Sequence, residues 1–477
     1  MKYISFLLVG AAPAFAFPSV GPDYKQPATA VPAMWRDAGP PNAWKVAAPA
    51  DTLARGEWWK LFSDPVLDGL ESRALAANQD LRAAAARVEQ ARAAAGLARS
   101  AYWPHLAADG AVVRERTSST TGNVFPETLT TTYDAPLTAS WEIDLFGRVR
   151  RLGESARANA EASAAAFESV RLSLTADVAS NYFTLRALDR ELSLVRDTVS
   201  LRRRALDLVN ARVTNGIAAD LDAARAETEL ATTEADAASL ANRRASVQDA
   251  LAILVGAAAP EFSFATRDAE SSSPPSIPAG LPADLLERRP DIAAAERLLA
   301  AANARIGVAK AAFFPAISLT GSAGFASGDI DRLFDSDSRV WSIGPRLYLP
   351  IFQGERNRAN LDRSRGAFDE AVAVYRQRVL VAFREVQDAL TATRLLAEQS
   401  VAQDRAEASA QRAADLALTR YKAGYVSYLE VIDAQRTALG TQRASAQLAA
   451  LRLNASVALI KSLGGGWHRP AALVAIK

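Results

Sequence analysis

The chain has 477 residues, a formal net charge of +2 and no cysteine. A charge this small provides no strong field for nucleic acid, and the absence of cysteine excludes disulfides, thiolate metal sites and thiol nucleophiles. The two histidines, His105 and His468, lie far apart in the sequence, and no glycine-rich phosphate loop is present. The chain therefore lacks the convergent groups that an enzyme needs, and no cofactor or metal ion is expected.

The amino terminus, MKYISFLLVGAAPAFA at residues 1–16, has the pattern of a secretory signal peptide. A lysine precedes an apolar run, and residues 14–16 form a cleavage site of the A-x-A type. No later run approaches the roughly 20 apolar residues of a membrane-spanning helix. An exported chain of this kind would have to enter a membrane through strands.

Residues 17–65 are rich in proline and tryptophan, and we interpret them as an extended arm along the surface. Proline is then absent from four long windows in which helices can form, at residues 66–103, 137–259, 291–314 and 351–469. We expect continuous helices over residues 147–213 and 354–422, each roughly 100 Å long. The first contains a heptad seam typical of coiled coils, which a cytoskeletal rod would also show. Its members are Leu185, Leu188, Leu192, Val195, Val199, Arg202, Leu206, Val209 and Val213.

Between the helical windows lie short runs in which apolar and polar residues alternate. Three are clear, at residues 137–146, 316–326 and 340–351, and a weaker one covers residues 106–116. Alternation over about ten residues is typical of a barrel strand with lipid on one face and water on the other. A half-buried strand of a soluble sheet also alternates, but the export signal favours the barrel. On this interpretation the lipid-facing residues include Trp141, Ile143, Trp341 and Ile343.

The whole pattern occurs twice along the chain. LARSAYWPHL at Leu97–Leu106 matches VAKAAFFPAI at Val308–Ile317 with an offset of 211 residues. Farther along, the segment from Ala211 to Glu227 matches a segment that begins at Thr419, with an offset of 208 residues. These matches indicate a first repeat, a linker, a second repeat and a tail. We place them at residues 66–270, 271–290, 291–466 and 467–477.

Each chain therefore offers four barrel strands, which are too few to close a barrel alone. Open sheet edges in hydrocarbon leave backbone groups unpaired, at a cost of several kcal/mol each. Chains must pool their strands, and two chains would give eight strands whose interior is largely filled by side chains. Three chains would give about twelve strands and leave a lumen.

Several segments, in the same order, resemble motifs of the TolC family of outer-membrane efflux proteins, in its drug-efflux, OprM/NodT-like branch. They are Val20–Pro27, Trp58–Leu70, Ala139–Arg148, Gly280–Glu296, Tyr348–Leu361, Tyr428–Arg436 and Ser462–Trp467. The resemblance implies a fold that is mainly α with a β-barrel part. In it, a homotrimer forms a twelve-stranded outer-membrane barrel that continues as a coiled-coil tunnel into the periplasm.

The resemblance also implies a function, that of the exit duct of a tripartite efflux pump. The partners would be a periplasmic adaptor, an inner-membrane transporter driven by protons, and outer-membrane lipid. The cargo would be drugs or other small toxic compounds. A duct for type I protein secretion and a soluble periplasmic coiled-coil scaffold remain alternatives.

Three groups of site residues follow from the same resemblance. Leu429, Glu430 and Asp433 match a ring that closes the tunnel, while Asp222 and Tyr421 match positions that tether the closed state. Exposed tips would dock the adaptor, and they comprise Asn215, Gly216, Ile217, Ala218, Ala423, Gly424, Tyr425 and Val426. A relative carries a second tethering arginine where this chain has Val426, so closure here would depend more on the ring. A solvated helix face is the ordinary alternative for the two acids.

Overall fold

The structure is a computed structural model that describes residues 19–29, 31–32, 34–36, 57–118, 129–266, 274–275, 277 and 289–466. The predicted signal peptide at residues 1–16 and the predicted tail at residues 467–477 lie outside the described residues. Most of the predicted linker at residues 271–290 lies outside them as well.

Long α-helices make up most of the described chain. In chain order they are α1 Pro65–Ala77, α2 Gln79–Ser100, α3 Arg148–Thr214, α4 Asp220–Leu254, α5 Pro290–Ala311, α6 Arg356–Lys422 and α7 Tyr428–Ser462. Helices α3 and α6 have 67 residues each and agree with the two long helices expected from the proline-free windows. None of the helices in the described ranges is long and apolar enough to cross a membrane.

The strands form one antiparallel sheet. They are β1 His105–Ala108, β2 Ala111–Arg116, β3 Leu129–Ile143, β4 Ala316–Ser327 and β5 Arg339–Tyr348. The strand order is β1-β3-β4-β5, and β2 also pairs with β3. Strands β1 and β2 pair with β3 in one continuous register, so they are two parts of a single strand. Pro136 lies opposite the break between them and has no N–H to donate to the ladder.

The register gives the sheet one apolar and one polar face. Trp141 lies opposite Leu319, and Ile143 lies opposite Ile317. On the neighbouring strand pair, Ala323 lies opposite Trp341. Directly opposed residues of an antiparallel pair project to the same side of the sheet. Most apolar residues of the strands therefore share one face, while most serines and threonines share the other.

The start of α3 is fixed by acids at the end of β3. Asp144 accepts hydrogen bonds from the backbone N–H groups of Val149 at 3.1 Å and Arg150 at 2.9 Å, which would otherwise be unsatisfied at a helix N-terminus. Glu142 pairs with Arg148, whose Nε donates to the carboxylate at 2.7 Å. The strand and the helix are thus connected by a short, well-bonded corner.

The chain divides into two compact units, and each unit contains segments from both sequence repeats. One unit comprises the described residues within the ranges 1–28, 88–163 and 295–375, and includes the sheet. The other comprises the described residues within the ranges 29–87, 164–294 and 376–477, and includes the larger hydrophobic core. The repeats are therefore visible in the sequence and in the local geometry, but they are not separate compact units.

The end of the predicted arm, from residue 57 onwards, differs from an extended surface segment. Trp58–Phe62 forms a 3-10 turn whose Trp58, Trp59 and Phe62 side chains are buried. The indole N–H of Trp58 donates to Thr175 Oγ1 at 3.1 Å, and Phe62 packs on Phe183 with ring centroids 4.9 Å apart. Burial of large aromatic rings outweighs the local tendency of this segment to stay extended.

Candidate functional site

The first hairpin turn joins α3 to α4 through a glycine-terminated cap. The N–H of Gly216 donates to the carbonyl of Val213, and the N–H of Ile217 donates to the carbonyl of Arg212, both at 2.9 Å. This pair of bonds is the Schellman motif, which needs a left-handed residue at the helix end. Gly216 supplies it with a φ of 69°.

The second turn, between α6 and α7, repeats the first one. Gly424 donates to the carbonyl of Tyr421 at 3.0 Å, and Tyr425 donates to the carbonyl of Arg420 at 2.9 Å. Gly424 has a φ of 81°. A Cβ added at Gly216 or Gly424 would meet open space, so these positions need glycine for backbone conformation alone.

The remaining tip residues expose apolar side chains to solvent. Ile217 is 72% exposed and Tyr425 is 81% exposed, so each turn carries one large exposed side chain directly after its glycine. Asn215 and Ala423 are also exposed, and Ala218 is half-buried. The predicted docking residues thus lie at two structurally equivalent turns.

Val426 differs from the other tip residues because it turns inward. It packs against a hydrophobic cluster to which all four helices of the two hairpins contribute. The buried members are Val209, Ala226, Tyr421, Tyr428, Val431 and Ile432. The ring centroids of Tyr421 and Tyr428 are 5.3 Å apart, and the guanidinium of Arg212 lies 4.7 Å from the centre of the Tyr421 ring. This cluster, which we call the tip core, fixes one hairpin on the other.

The predicted gate residues lie on the opposite side of α7 from the tip core. Leu429 is 43% exposed, and Glu430 and Asp433 are also exposed. Tyr428 and Val431, which alternate with them along the helix, point into the tip core. The three predicted residues therefore share a free face of α7, as their spacing indicates.

The two predicted tether residues do not bond to each other. Tyr421 is buried in the tip core, and Asp222 lies 3.7 Å from Arg225 in an ion pair within α4. Among the described residues, no hydrogen bond connects Tyr421 to Asp222. Burial, with Tyr421 nearby, raises the pKa of the Tyr428 hydroxyl, so this neighbour remains a neutral hydrogen-bonding group at ordinary pH.

A buried ionic network lies next to the tip core, on the side away from the hairpin turns. The sequence did not predict it. Arg202 on α3 donates to the carboxylate of Glu229 on α4 at 2.8 Å and to the backbone carbonyl of the same residue at 2.7 Å. Arg436 on α7 pairs with the other oxygen of that carboxylate. The side chains of Arg202 and Glu229 are each 7% exposed, and burial lowers the pKa of Arg202. The signal in the sequence is the single polar member of the heptad seam.

A second network lies farther along the same three helices. Glu191 on α3 is buried and accepts hydrogen bonds from Arg443 at 2.7 Å and from Gln447 at 3.1 Å, both on α7. Arg443 also reaches Asp236 on α4 at 3.1 Å. The two networks connect the hairpin of the first repeat to the hairpin of the second at two levels.

The sequence profile of the outer membrane efflux protein family matches residues 70–257 and 281–465, with one match in each repeat. The chain belongs to the outer membrane efflux protein family. Among its relatives is the toluene efflux pump outer membrane protein TtgI of Pseudomonas putida, 37% identical over 452 residues, which are 94% of this chain and 95% of TtgI. Another is the cation efflux system protein CusC of Escherichia coli, 35% identical over 454 residues, with 94% and 96% of the two chains covered.

Solved structures agree with the sequence comparison. The outer-membrane channel OprN has a TM-score of 0.87 and 32% identity, with 94% of this chain and 99% of OprN covered. The open state of the Neisseria gonorrhoeae MtrE channel has a TM-score of 0.81 and 32% identity, with 94% and 98% covered.

These matches confirm the predicted family, the predicted fold class and the predicted outer-membrane location extending into the periplasm. The chain is an outer-membrane efflux channel and not an enzyme. It belongs to an oligomeric channel that works with other efflux components.

Proposed function

We propose that three copies of this chain form the exit duct of a tripartite efflux pump. The sheet supports this stoichiometry because, counted over the described residues with β1 and β2 as one split strand, it has four strands and an edge at each end without a partner strand. Three such sheets make a barrel of about twelve strands, which is wide enough for a lumen, whereas two sheets would be filled by side chains. In this trimer the face with Trp141, Ile143, Trp341 and Ile343 contacts lipid, and the serine- and threonine-rich face lines the water-filled interior.

The gate is formed by the free face of α7. The observation that carries this proposal is a difference between the two otherwise matching hairpins. At the offset of 208, Glu430 corresponds to Asp222, whereas Asp433 corresponds to Arg225. The first hairpin thus neutralises its acid within the helix, while no ion pair of Glu430 or Asp433 occurs among the described residues.

Three copies of the Glu430 and Asp433 carboxylates around a narrow axis repel one another and attract cations. The three Leu429 side chains beside them supply an apolar contact that favours the shut state. Closure therefore balances apolar contact against carboxylate repulsion. Protons or divalent cations reduce that repulsion and stabilise the closed ring.

The adaptor docks at the two hairpin turns. Their backbones are accessible because Gly216 and Gly424 have open space beside them. Ile217 and Tyr425 add exposed apolar surface next to each glycine. An apolar helical hairpin from a periplasmic adaptor fits such a surface, and the inner-membrane partner is a proton-driven transporter.

The cargo is a class of small organic compounds. Two relatives with nearly equal sequence identity to this chain are named for toluene efflux and for cation efflux. Sequence identity alone therefore does not decide between organic compounds and cations as the cargo. The chain has no cysteine, two methionines and two histidines. It therefore offers few of the soft ligands that select copper-like cations along a pathway.

A complementation experiment tests the assembly and the cargo together. The chain is expressed with its own adaptor and transporter in a host that lacks its outer-membrane efflux channels. We expect restored tolerance to toluene and to apolar antibiotics, with no gain in copper or silver tolerance. Restored metal tolerance alone would make the cation duct the correct assignment. Secretion of a protein substrate without drug tolerance would favour the type I secretion duct.

A further inference from the structure

The internal duplication gives a register for the contact between neighbouring chains. One sheet edge is β5, and the other is the split strand β1 and β2. In the trimer proposed above, on which this inference rests, β5 must pair with the split strand of the partner subunit. Inside the chain, β3 of the first hairpin pairs with β4 of the second hairpin. This pairing is the equivalent, within one chain, of the contact between β5 and the split strand of the partner subunit.

Residue numbers relate the two hairpins of the sheet. Leu106 lies opposite Ala139, and Ile317 lies opposite Leu347. The first strand of each hairpin is thus related by an offset of 211, and the second strand by an offset of 208. The 208 offset also relates Gly147 to Glu355, which have positive φ values of 81° and 65° at the starts of α3 and α6.

These offsets transfer the β3–β4 register to the seam between chains. Inside the chain, Ala135 lies opposite Phe325 and Tyr133 lies opposite Ser327. The equivalent pairs are Ile343 with Arg114 of the partner subunit, and Trp341 with Arg116 of the partner subunit. Two residues farther along β5, away from the long helices, Arg339 comes opposite Ser118 of the partner subunit.

The arginines of this seam project from the apolar face. Arg114 lies opposite Thr131, and Arg339 lies opposite Phe325, so each shares the face that includes Trp341. Both are exposed, and both lie at the end of the strands away from the long helices. Arginine on a lipid face is costly at the midplane and tolerated only near the headgroups. Their position therefore marks the headgroup level of the outer leaflet.

Among the described strand residues, no carboxylate shares the face of Arg114 and Arg339. In the described strands, the outward neighbours of Arg114 and Arg339 are serine, threonine, tyrosine, leucine, phenylalanine, tryptophan and arginine. Four strand residues separate the level of Arg114 from that of Arg339, which is about 13 Å. Exposed guanidinium groups at the headgroup level can form strong charge-assisted hydrogen bonds with lipid phosphates.

We propose that each seam binds the phosphate groups of an outer-leaflet lipid, with Arg339 of one chain and Arg114 of the partner subunit as the two anchors. Trp341 lies between them and packs on the upper part of the lipid, as aromatic residues do at membrane interfaces. A lipid with two separated phosphates fits the spacing of the two guanidinium groups. The bound lipid then covers the junction between neighbouring subunits.

The test measures lipid retention by purified trimers in nanodiscs. The discs contain phosphatidylcholine with bisphosphorylated lipid A or with its dephosphorylated form. We expect wild-type trimers to retain the phosphorylated lipid preferentially, and Arg114→Gln or Arg339→Gln to reduce retention about fivefold each. Arg346→Gln, on the same strand but on the polar face, is the matched control and should not change retention.

Three outcomes would overturn the site. They are equal retention of dephosphorylated lipid, unchanged retention in the Arg114→Gln/Arg339→Gln double variant, and an equal loss in Arg346→Gln. Excess inorganic phosphate distinguishes a lipid site from a free-anion site. If phosphate strips the lipid completely, the assignment to a lipid is wrong.

A cysteine experiment keeps the failure of the site distinct from the failure of the trimer. The transferred register places Gly344 opposite Val113 of the partner subunit, and the chain has no native cysteine. Oxidation of Gly344→Cys/Val113→Cys should give covalent trimers, because opposed Cα atoms in a sheet lie within disulfide range. Gly344→Cys/Val112→Cys, with side chains on opposite faces, should not. Cross-linked trimers that retain no phosphorylated lipid would overturn the site alone, whereas no cross-link in either variant would overturn the register.

Discussion

Arg202 is a charged residue in a position where the heptad pattern calls for an apolar one. It is buried against α4 because Glu229 and Thr233 satisfy its guanidinium there. A buried charge is stable only while it is paired, and removing one partner leaves the other uncompensated. The pair of Arg202 and Glu229 thus fixes how α3 and α4 align. Because Arg436 also pairs with Glu229, the same carboxylate connects α7 to this pair.

Substitution of Glu229 should therefore be much more damaging than substitution of a surface neighbour. We expect Glu229→Gln to lower the free energy of unfolding by about 3–5 kcal/mol, because Arg202 loses its counter-ion in a buried site. Glu234→Gln is the matched control, since Glu234 pairs with Arg203 at 2.6 Å on the same two helices but is exposed. That change should cost less than about 1 kcal/mol. Chemical unfolding followed by helical circular dichroism measures both, and equal losses would show that the buried pair adds nothing.

Glu71 on α1 is a second buried ionisable residue, and within the described part of the chain it has no hydrogen-bond partner. Its side chain is fully buried, and neither carboxylate oxygen has a hydrogen-bond partner. Burial, with Asp68 nearby, raises its pKa from 4.5 to about 9. The folded protein therefore holds this group protonated at neutral pH.

The raised pKa of Glu71 makes stability depend on pH. The contribution of Glu71 to the free energy of unfolding is fully present below pH 4.5 and is lost as the pH rises towards about 9. The reason is that Glu71 ionises at lower pH in the unfolded chain than in the folded protein. The slope is about 1.4 kcal/mol per pH unit in that window. We expect Glu71→Gln to raise the thermal midpoint at pH 8 much more than at pH 5. Glu89→Gln, at an exposed ion pair, should change neither, and an equal gain at both pH values for Glu71→Gln would contradict the buried, protonated state.

At the scale of elements, the sequence was most informative where one pattern extends over many residues. The proline-free windows and the heptad seam predict α3 and α6 to within a few residues, because both patterns accumulate over many turns. The weak fourth strand was harder to define because Pro136 splits its ladder into β1 and β2. The Trp58–Phe62 turn was not predicted, since it depends on aromatic contacts with distant residues.

The two faces of the sheet can be tested by placing one charge on either side. Ile343 lies on the apolar face, and the adjacent Ser342 lies on the polar face opposite Ser322. We expect Ile343→Arg to destabilise the barrel, but by less than the ~2–4 kcal/mol of an arginine at the midplane, because Ile343 comes level with Arg114 of the partner subunit near the headgroups. Ser342→Arg should assemble normally. Heat-resistant trimer on a denaturing gel reports the difference, and the reverse ranking would mean that the lipid face is the polar one.

The hairpin turns can be probed without straining the backbone. Asparagine tolerates the left-handed conformation better than other residues, so Gly424→Asn keeps the turn while adding a side chain to open space. We expect this variant to form trimers normally but to lose most of its drug efflux, because the added side chain holds off the adaptor. The same substitution at Gly440, inside α7 and away from the turn, is the control. Full efflux by Gly424→Asn would exclude close backbone docking at this tip.

At the scale of the whole molecule, the sequence identified the family and the duplication but not how the repeats combine. Each compact unit contains segments from both repeats, because the long helices α3 and α6 each contribute residues to both units. The gate residues were predicted from their motif and their spacing on α7. The buried networks at Arg202 and Glu191 were not, because their partners lie on other helices and no local pattern reveals them.

The central claim is that the free face of α7 closes an oligomeric exit duct, and single-channel conductance in planar bilayers tests it most directly. The account predicts a low resting conductance for wild type and an increase of severalfold for Leu429→Ala, while Asp433→Ala weakens block by divalent cations. The internal duplication provides the control, because Leu221 is the counterpart of Leu429 in the first hairpin and is likewise exposed. Leu221→Ala should conduct as wild type does. If Leu429→Ala conducts no more than wild type, or Leu221→Ala rises equally, then α7 does not form the constriction.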